Sequence, residues 1–200
     1  MPPPPPVPRS LEEFQDLADQ VTIAALLPTP VVTMDGHDSS RHAGGRKGVL
    51  ALPSDVPPET VAGALGRGVG LAATAARRER VHTTRRQGGP LAAAFAVPVV
   101  IMLAMGQWAA AAVVVVIAAV CWSWVLLAAL ARLRALDLAA DAEGARLLGT
   151  VGHPGHDWVA AWVAVETAGQ DAADSRPPWL RERAAPEQRR AALLGSPPPR

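Results

Sequence analysis

Residues 91–131 read LAAAFAVPVVIMLAMGQWAAAAVVVVIAAVCWSWVLLAALA, 41 consecutive positions without a charged side chain. As one straight helix this run would extend roughly 60 Å at 1.5 Å per residue. The hydrocarbon core of a bilayer is only about 30 Å thick. The run is twice one crossing, and Gly106-Gln107 interrupts it near the middle. It reads as two transmembrane helices folded into a hairpin. Trp108 stands beside the turn, where an indole favours the membrane interface. Pro98 falls in the first leg, a position a membrane helix tolerates when neighbours satisfy the freed carbonyl. The alternative is one tilted crossing plus a buried helix.

The charges set an orientation. Arg77, Arg78, Arg80, Arg85 and Arg86 precede the first leg, Arg132 and Arg134 follow the second, and the turn between the legs carries no charge. The positive-inside rule then places both ends in the cytoplasm. Net charge is only +1 over 200 residues, which offers no electrostatic argument for nucleic acid. The single cysteine, Cys121, lies inside the second leg and reads as a small membrane-buried side chain. The opening MPPPPPVP has neither a basic n-region nor an apolar h-region, so the hairpin itself is the expected insertion signal. Rich Ala, Arg, Gly and Pro with no Tyr suits a high-GC bacterial genome, and hence a bacterial plasma membrane.

Around the hairpin the pattern is that of a small, mainly α domain with one β-hairpin. Residues 1–9 form a proline-rich tail expected to be disordered. The cytoplasmic domain divides into an N-terminal part, 10–90, and a C-terminal part, 132–170. Ser10 and Glu13 make a capping box ahead of Leu11, Phe14, Leu17, Ala18 and Val21, which predicts a helix over about 10–22. Val31–Met34 and Val49–Leu52 are strand-like and are expected to pair as a hairpin across the polar loop 35–47. Pro57, Pro58 and Glu59 open a further helix, with Val61, Leu65 and Val69 as its buried stripe. Gly63, Gly66, Gly68 and Gly70 each weaken that helix by roughly 1 kcal/mol relative to Ala. They point either to close packing or to a lost role. This helix is expected to run through the arginines into the first membrane leg. Beyond the hairpin, helix continues from Arg132 to Leu148, with Leu133, Leu136, Ala140 and Leu147 as its apolar face. Residues 149–155 break it. A last helix over 157–166 carries Trp158, Trp162 and Val165 on one side. Residues 171–200 read as a mobile basic tail with a short helix at 186–194, whose Trp179, Leu180 and arginines suit either solvent or anionic headgroups.

Candidate chemistry concentrates in Arg134-Ala-Leu-Asp137-Leu-Ala-Ala140-Asp141. On a helix Arg134, Asp137 and Asp141 share one face. By spacing alone they read as a surface salt-bridge set. His153-Pro-Gly-His156-Asp157 has a spacing that a metal on a loop could use, and His37 and His42 flank a second polar loop with Asp35 and Asp38. Loop polarity accounts for both. His82 sits among arginines, a poor setting for a metal ligand. No P-loop, dinucleotide fingerprint or nucleophile elbow is present.

The order of these parts resembles the membrane zinc metallopeptidases of the HtpX and CAAX-protease type. That family has a helix, a β-hairpin, a helix bearing H-E-x-x-H, a membrane hairpin and a helix bearing R-x-x-E-x-x-A-D. The likeness runs from about Leu11 to Ala168. It rests on Gly48-Val-Leu-Ala-Leu-Pro53, Pro58-Glu59, Val61-Ala62-Gly63-Ala64-Leu65, Arg134-x-x-Asp137-x-x-Ala140-Asp141 and Gly144-Ala145-Arg146-Leu147-Leu148-Gly149. It implies a metallopeptidase-like helical domain into which the membrane hairpin is inserted. The family's zinc-binding histidines fall at Arg67 and Leu71, its general base at Gly68, and its third ligand at Asp137. A catalytic zinc needs three protein ligands and an open position, and at most one is present here. The resemblance therefore implies a degenerate member: a pseudoprotease that binds a substrate or partner at the cytoplasmic face, or regulates an active relative. No cofactor is expected, and Arg67 is expected to pair with Asp137 in place of a metal. The alternatives are an active zinc endopeptidase using His153, His156 and Asp137, or a membrane adaptor working through its tails.

Overall fold

The computed structural model describes residues 6–34, 49–86, 88–170, 181 and 183–195. Six helices and two strands follow in the order α1 (Leu11–Ala24), β1 (Val31–Met34), β2 (Val49–Leu52), α2 (Pro58–Arg86), α3 (Gly88–Ala104), α4 (Trp108–Thr150), α5 (Gly155–Gln170) and α6 (Pro186–Leu193).

The capping box forms as expected: the Ser10 hydroxyl accepts from the Glu13 amide, and the Glu13 carboxylate accepts from the Ser10 amide at 3.3 Å. Phe14, Leu17, Ala18 and Val21 are buried, whereas Leu11 is half exposed. The helix ends on Leu26, whose φ of +54° lets the Leu27 amide reach back to the Thr22 carbonyl at 2.9 Å.

The two strands pair, but in parallel, with Val31 opposite Val49 and Met34 opposite Leu52. The β-hairpin expectation is corrected. A tight turn makes antiparallel neighbours, and a crossover of a dozen or more residues permits parallel ones; residues 35–48 are long enough for a crossover. Inward-facing Val32, Leu50 and Leu52 satisfy the core in either direction, so strand hydrophobicity could not decide. Gln15 closes the outer edge of β1, accepting from the Val32 amide at 2.8 Å and donating to the Pro30 carbonyl at 2.9 Å.

The core gathers α1, the sheet, α2, the far end of α4 and α5. Val61, Leu65 and Val69 are buried as their spacing predicts, with Leu147, Leu148, Trp158, Val159, Trp162 and Val163 against them. Leu133, Ala140 and Leu147 are buried while Leu136 is half buried. The glycines of α2 serve close packing. A Cβ on Gly70 would overlap the Ala140 carbonyl, and one on Gly144 would overlap the Gly66 backbone. These contacts set α2 antiparallel to the second half of α4 at near backbone contact.

Between α3 and α4 the chain turns at Gly106, where φ is +73° and the Gln107 amide bonds the Met102 carbonyl at 2.8 Å. Only glycine enters this backbone region without strain. α3 and α4 pack on each other beyond the turn. α4 is one continuous helix of 43 residues, and among the described residues it alone is long and apolar enough to cross a membrane. Its apolar half, 108–131, is about 36 Å long, and Val113, Val116, Ile117, Val120 and Trp124 on it are at least half exposed. A buried core helix would hide such residues; this one displays them.

The short helix expected at 186–194 forms as α6, but it is not loose. It packs on α4 and α5, with Arg189 and Leu193 buried. Trp179 and Leu180 lie outside the described residues.

Candidate functional site

Five elements converge on one buried cluster of charge. α2 brings Arg67 and Arg78, α4 brings Asp137 and Asp141, α5 brings Glu166, α6 brings Arg189, and the segment before α6 brings Arg183. Arg67, Asp137 and Asp141 are each 1% exposed. Arg67 reaches them because Gly66 and Gly70 on either side of it let α2 lie against α4 at Gly144 and Ala140.

Every carboxylate oxygen in the cluster faces a cation or a donor. Asp137 Oδ1 accepts from Arg67 Nη2 at 2.9 Å and from Arg78 Nη2 at 2.8 Å. Its Oδ2 accepts from the Ala184 amide at 3.3 Å. Asp141 Oδ1 accepts from Arg67 Nη1 and, at 3.1 Å, from Arg189 Nη2. Its Oδ2 accepts from Arg189 Nε at 2.6 Å. Glu166 Oε1 accepts from Arg183 Nη1 at 2.6 Å, and Oε2 from Arg189 Nη1 at 2.8 Å, with Arg67 Nε at 3.4 Å. The Arg189 guanidinium thus forks across Asp141 and onto Glu166, the planar geometry to which arginine is suited.

Burial alone would raise the carboxyls of Glu166 and Asp137, the latter lying past the apolar run of α4. The guanidinium charges outweigh it: Arg67, Arg189 and Arg183 around Glu166, and Arg67, Arg189 and Arg78 around Asp137, hold both groups below their ordinary range. Burial would lower Arg189, but its bonds and attraction to Asp141, with the charges of Glu166 and Asp137, raise it.

The paired aspartates are therefore an interior feature, not the surface set that spacing suggested. Arg134 sits half buried one turn before Asp137 on the same helix. His153 and His156 are placed otherwise. His156 Nδ1 lies 3.0 Å from the Leu193 carbonyl, and His153 stacks on Trp158 with ring centroids 4.8 Å apart. His37, His42, Asp35 and Asp38 lie outside the described residues.

Four members were missed by sequence reasoning: Arg78, read only as a membrane-flanking arginine, Arg183, read as part of the tail, Glu166 and Arg189. Glu166 is four residues after Trp162 and eight after Trp158, so it shares their buried face. Val165, which was expected there, is 39% exposed. The helical spacing could have found Glu166. Arg189 was hidden in a stretch that reads as tail; its only sequence signal is Leu193 one turn later, on the same face.

On the other side of α2, Gly68 and Leu71 line an apolar cleft of about 320 Å³ with Leu27, Pro28, Val49 and Ala72. The positions of the resembled family's motif are thus divided, Arg67 entering the charge cluster while Gly68 and Leu71 border the cleft. These residues do not fit a zinc ion. A guanidinium and an alkyl chain offer no lone pair to a metal, and both Asp137 oxygens already accept hydrogen bonds. Among the described residues no group of three His, Cys, Asp or Glu side chains is arranged for a metal. Comparison with protein-family models, curated proteins and solved structures finds no match to this chain.

Proposed function

We propose that this chain is a membrane-anchored binding or regulatory protein on a metallopeptidase-like scaffold, without peptidase activity of its own. The observation that carries the reading is the Arg67–Asp137 pair at 2.9 Å. In the register of the resemblance, a cation of the protein stands where a zinc ligand would, and it neutralises the carboxylate that would complete the site. Hydrolysis by that family's route needs a metal-activated water and a base; Arg67, Gly68 and Leu71 supply neither. The engagement of His156 with Leu193 and of His153 with Trp158 favours this reading over a zinc enzyme built from those histidines and Asp137. The burial of Arg189 disfavours an adaptor acting through a free C-terminal tail.

The anchor is two membrane spans, α3 and the first half of α4, with both termini cytoplasmic. The turn at Gly106, the packing of α3 on α4 and the arginines flanking the pair support it. Both halves of the helical domain then meet at the cytoplasmic face, where a protein partner would be held.

Metal analysis of full-length protein purified in detergent tests the reading. We expect zinc far below one atom per chain and no cleavage of an unfolded protein substrate. Stoichiometric zinc that disappears in Asp137→Ala would overturn it.

A further inference from the structure

We infer that α4 leaves the hydrocarbon at Trp124, seven residues before the charge-free run ends, and that residues 125–131 form a collar seated in the phospholipid headgroup layer. This rests on the two-span anchor proposed above and fixes its depth. α3 has 17 residues and is about 25 Å long, while the apolar half of α4 is about 36 Å long. The two legs pack on each other from one turn at Gly106. Tilt shortens packed legs alike, so it cannot absorb the difference. Gly88 stands sixteen residues before the end of α3 and Trp124 sixteen after the start of α4, which puts the two at one height.

α2 ends at Arg86, two residues before Gly88. A boundary at Ala131 would draw Gly88 about 10 Å into the hydrocarbon, and the last turn of α2, which carries Arg85 and Arg86, with it. Charge there is costly. A boundary at Trp124 avoids this. Trp108 and Trp124 are 70% and 74% exposed and lie about 24 Å apart along α4, and an indole settles at the membrane interface. The span they bracket matches α3. It is shorter than an average hydrocarbon core, a mismatch that local thinning of the bilayer relieves. Beyond Trp124, Val125 and Leu127 are partly exposed and Arg132 is exposed. Helical side chains lean toward the N-terminus, so Arg132 leans back toward the bilayer, where its cation meets phosphate. A headgroup layer of about 5–8 Å takes up most of this collar. Gly70 packs on Ala140, about 24 Å along α4 from Trp124. The cleft bordered by Gly68 and Leu71 is thereby held clear of the acyl chains, within reach of a partner in the cytoplasm.

Spin-label depth measurement on the full-length chain in dioleoylphosphatidylcholine vesicles tests this. In a Cys121→Ser background, labels are placed at Val116→Cys, Val120→Cys, Leu127→Cys and Ala131→Cys, all exposed positions. Collisions with oxygen report hydrocarbon, and collisions with a water-soluble nickel chelate report headgroups and water. Labels at 116 and 120 should meet oxygen, and those at 127 and 131 should meet nickel. The crossing should fall near Trp124, about 10 Å short of the place that a boundary at Ala131 would give. Oxygen-dominated contact persisting at 127 would overturn the collar and leave the anchor standing. Shielding of 127 from both collision partners would put protein on the collar in place of headgroups and overturn it too. Nickel contact at 116 would overturn the anchor itself, and the collar with it.

Discussion

Arg67 and Asp137 are 70 residues apart in the chain and 2.9 Å apart in space, both shielded from water. The pair is held by helices that approach to backbone contact on either side of it, at Gly66–Gly144 and Gly70–Ala140. A buried ion pair is poor evidence of stability in itself, because desolvation opposes attraction. Removing one partner is another matter.

Arg67→Met should destabilise the domain by about 3–5 kcal/mol, since it strands Asp137 and Asp141 beside fewer cations. Adding Asp141→Asn should recover part of that loss, with a coupling of about 0.5–3 kcal/mol. Urea unfolding of the four proteins of the cycle in detergent measures it. Additive single effects would show that Arg67 and Asp141 are not coupled.

Glycine to alanine should have opposite signs at two places. In an ordinary helix interior the change stabilises by up to about 1 kcal/mol. At Gly149, where a Cβ meets nothing within 4 Å, a gain of that order is expected. At Gly70 or Gly144 the added methyl would strike backbone of the facing helix. There a loss of about 1–3 kcal/mol or more is expected from overpacking. Thermal unfolding of the three variants decides.

Acid should weaken the fold through the same cluster. Glu166 and Asp137 have carboxyls held below their unfolded values. Their contribution is complete above the unfolded carboxylate pKa, about 4, and is lost as pH falls through the lower folded values. Stability should be level from about pH 5 to 8 on this account and fall below about pH 4. Glu166→Gln should be less stable at neutral pH and show a shallower acid slope. An unchanged slope would remove Glu166 from the titration.

The membrane reading predicts a sharp response in α4. Ile117→Arg places a charge near the middle of the apolar half, at a cost of about 2.5–3.5 kcal/mol in insertion. The protein should shift from the carbonate-resistant membrane fraction to the soluble fraction or be lost. In a Cys121→Ser background, Gln107→Cys should react with an impermeant thiol reagent from outside intact cells, and Glu187→Cys should react only after lysis. Reaction of Glu187→Cys but not Gln107→Cys from outside would invert the topology, and reaction of both would show that α4 does not cross.

Much of the architecture was legible in sequence because it depends on local chemistry. The Ser10–Glu13 box, the 3.6-residue stripe of Val61, Leu65 and Val69, and the charge-free run broken at Gly106 each act within a few residues, so their outcome could be read in order along the chain. The pairing of Arg67 with Asp137 followed from a resemblance in the order of elements, and the geometry holds it. Strand direction did not follow, because Val32 and Leu50 are buried equally well either way. The place of Glu166 was readable from Trp158 and Trp162 but was given to Val165.

The amino-acid order by itself determined where helices start and stop and which run could enter a bilayer, since capping, periodicity and hydrophobicity are short-range properties. Only the tertiary structure decided what the charges do. Arg67, Asp137, Asp141, Glu166 and Arg189 come from four helices, and each alone would be an ordinary exposed side chain. Glycine-to-backbone contact brings α2 against α4, and α6 packs on α4 and α5 with Arg189 buried in the cluster. Without water, each carboxylate must find a guanidinium, and that requirement selects the partners.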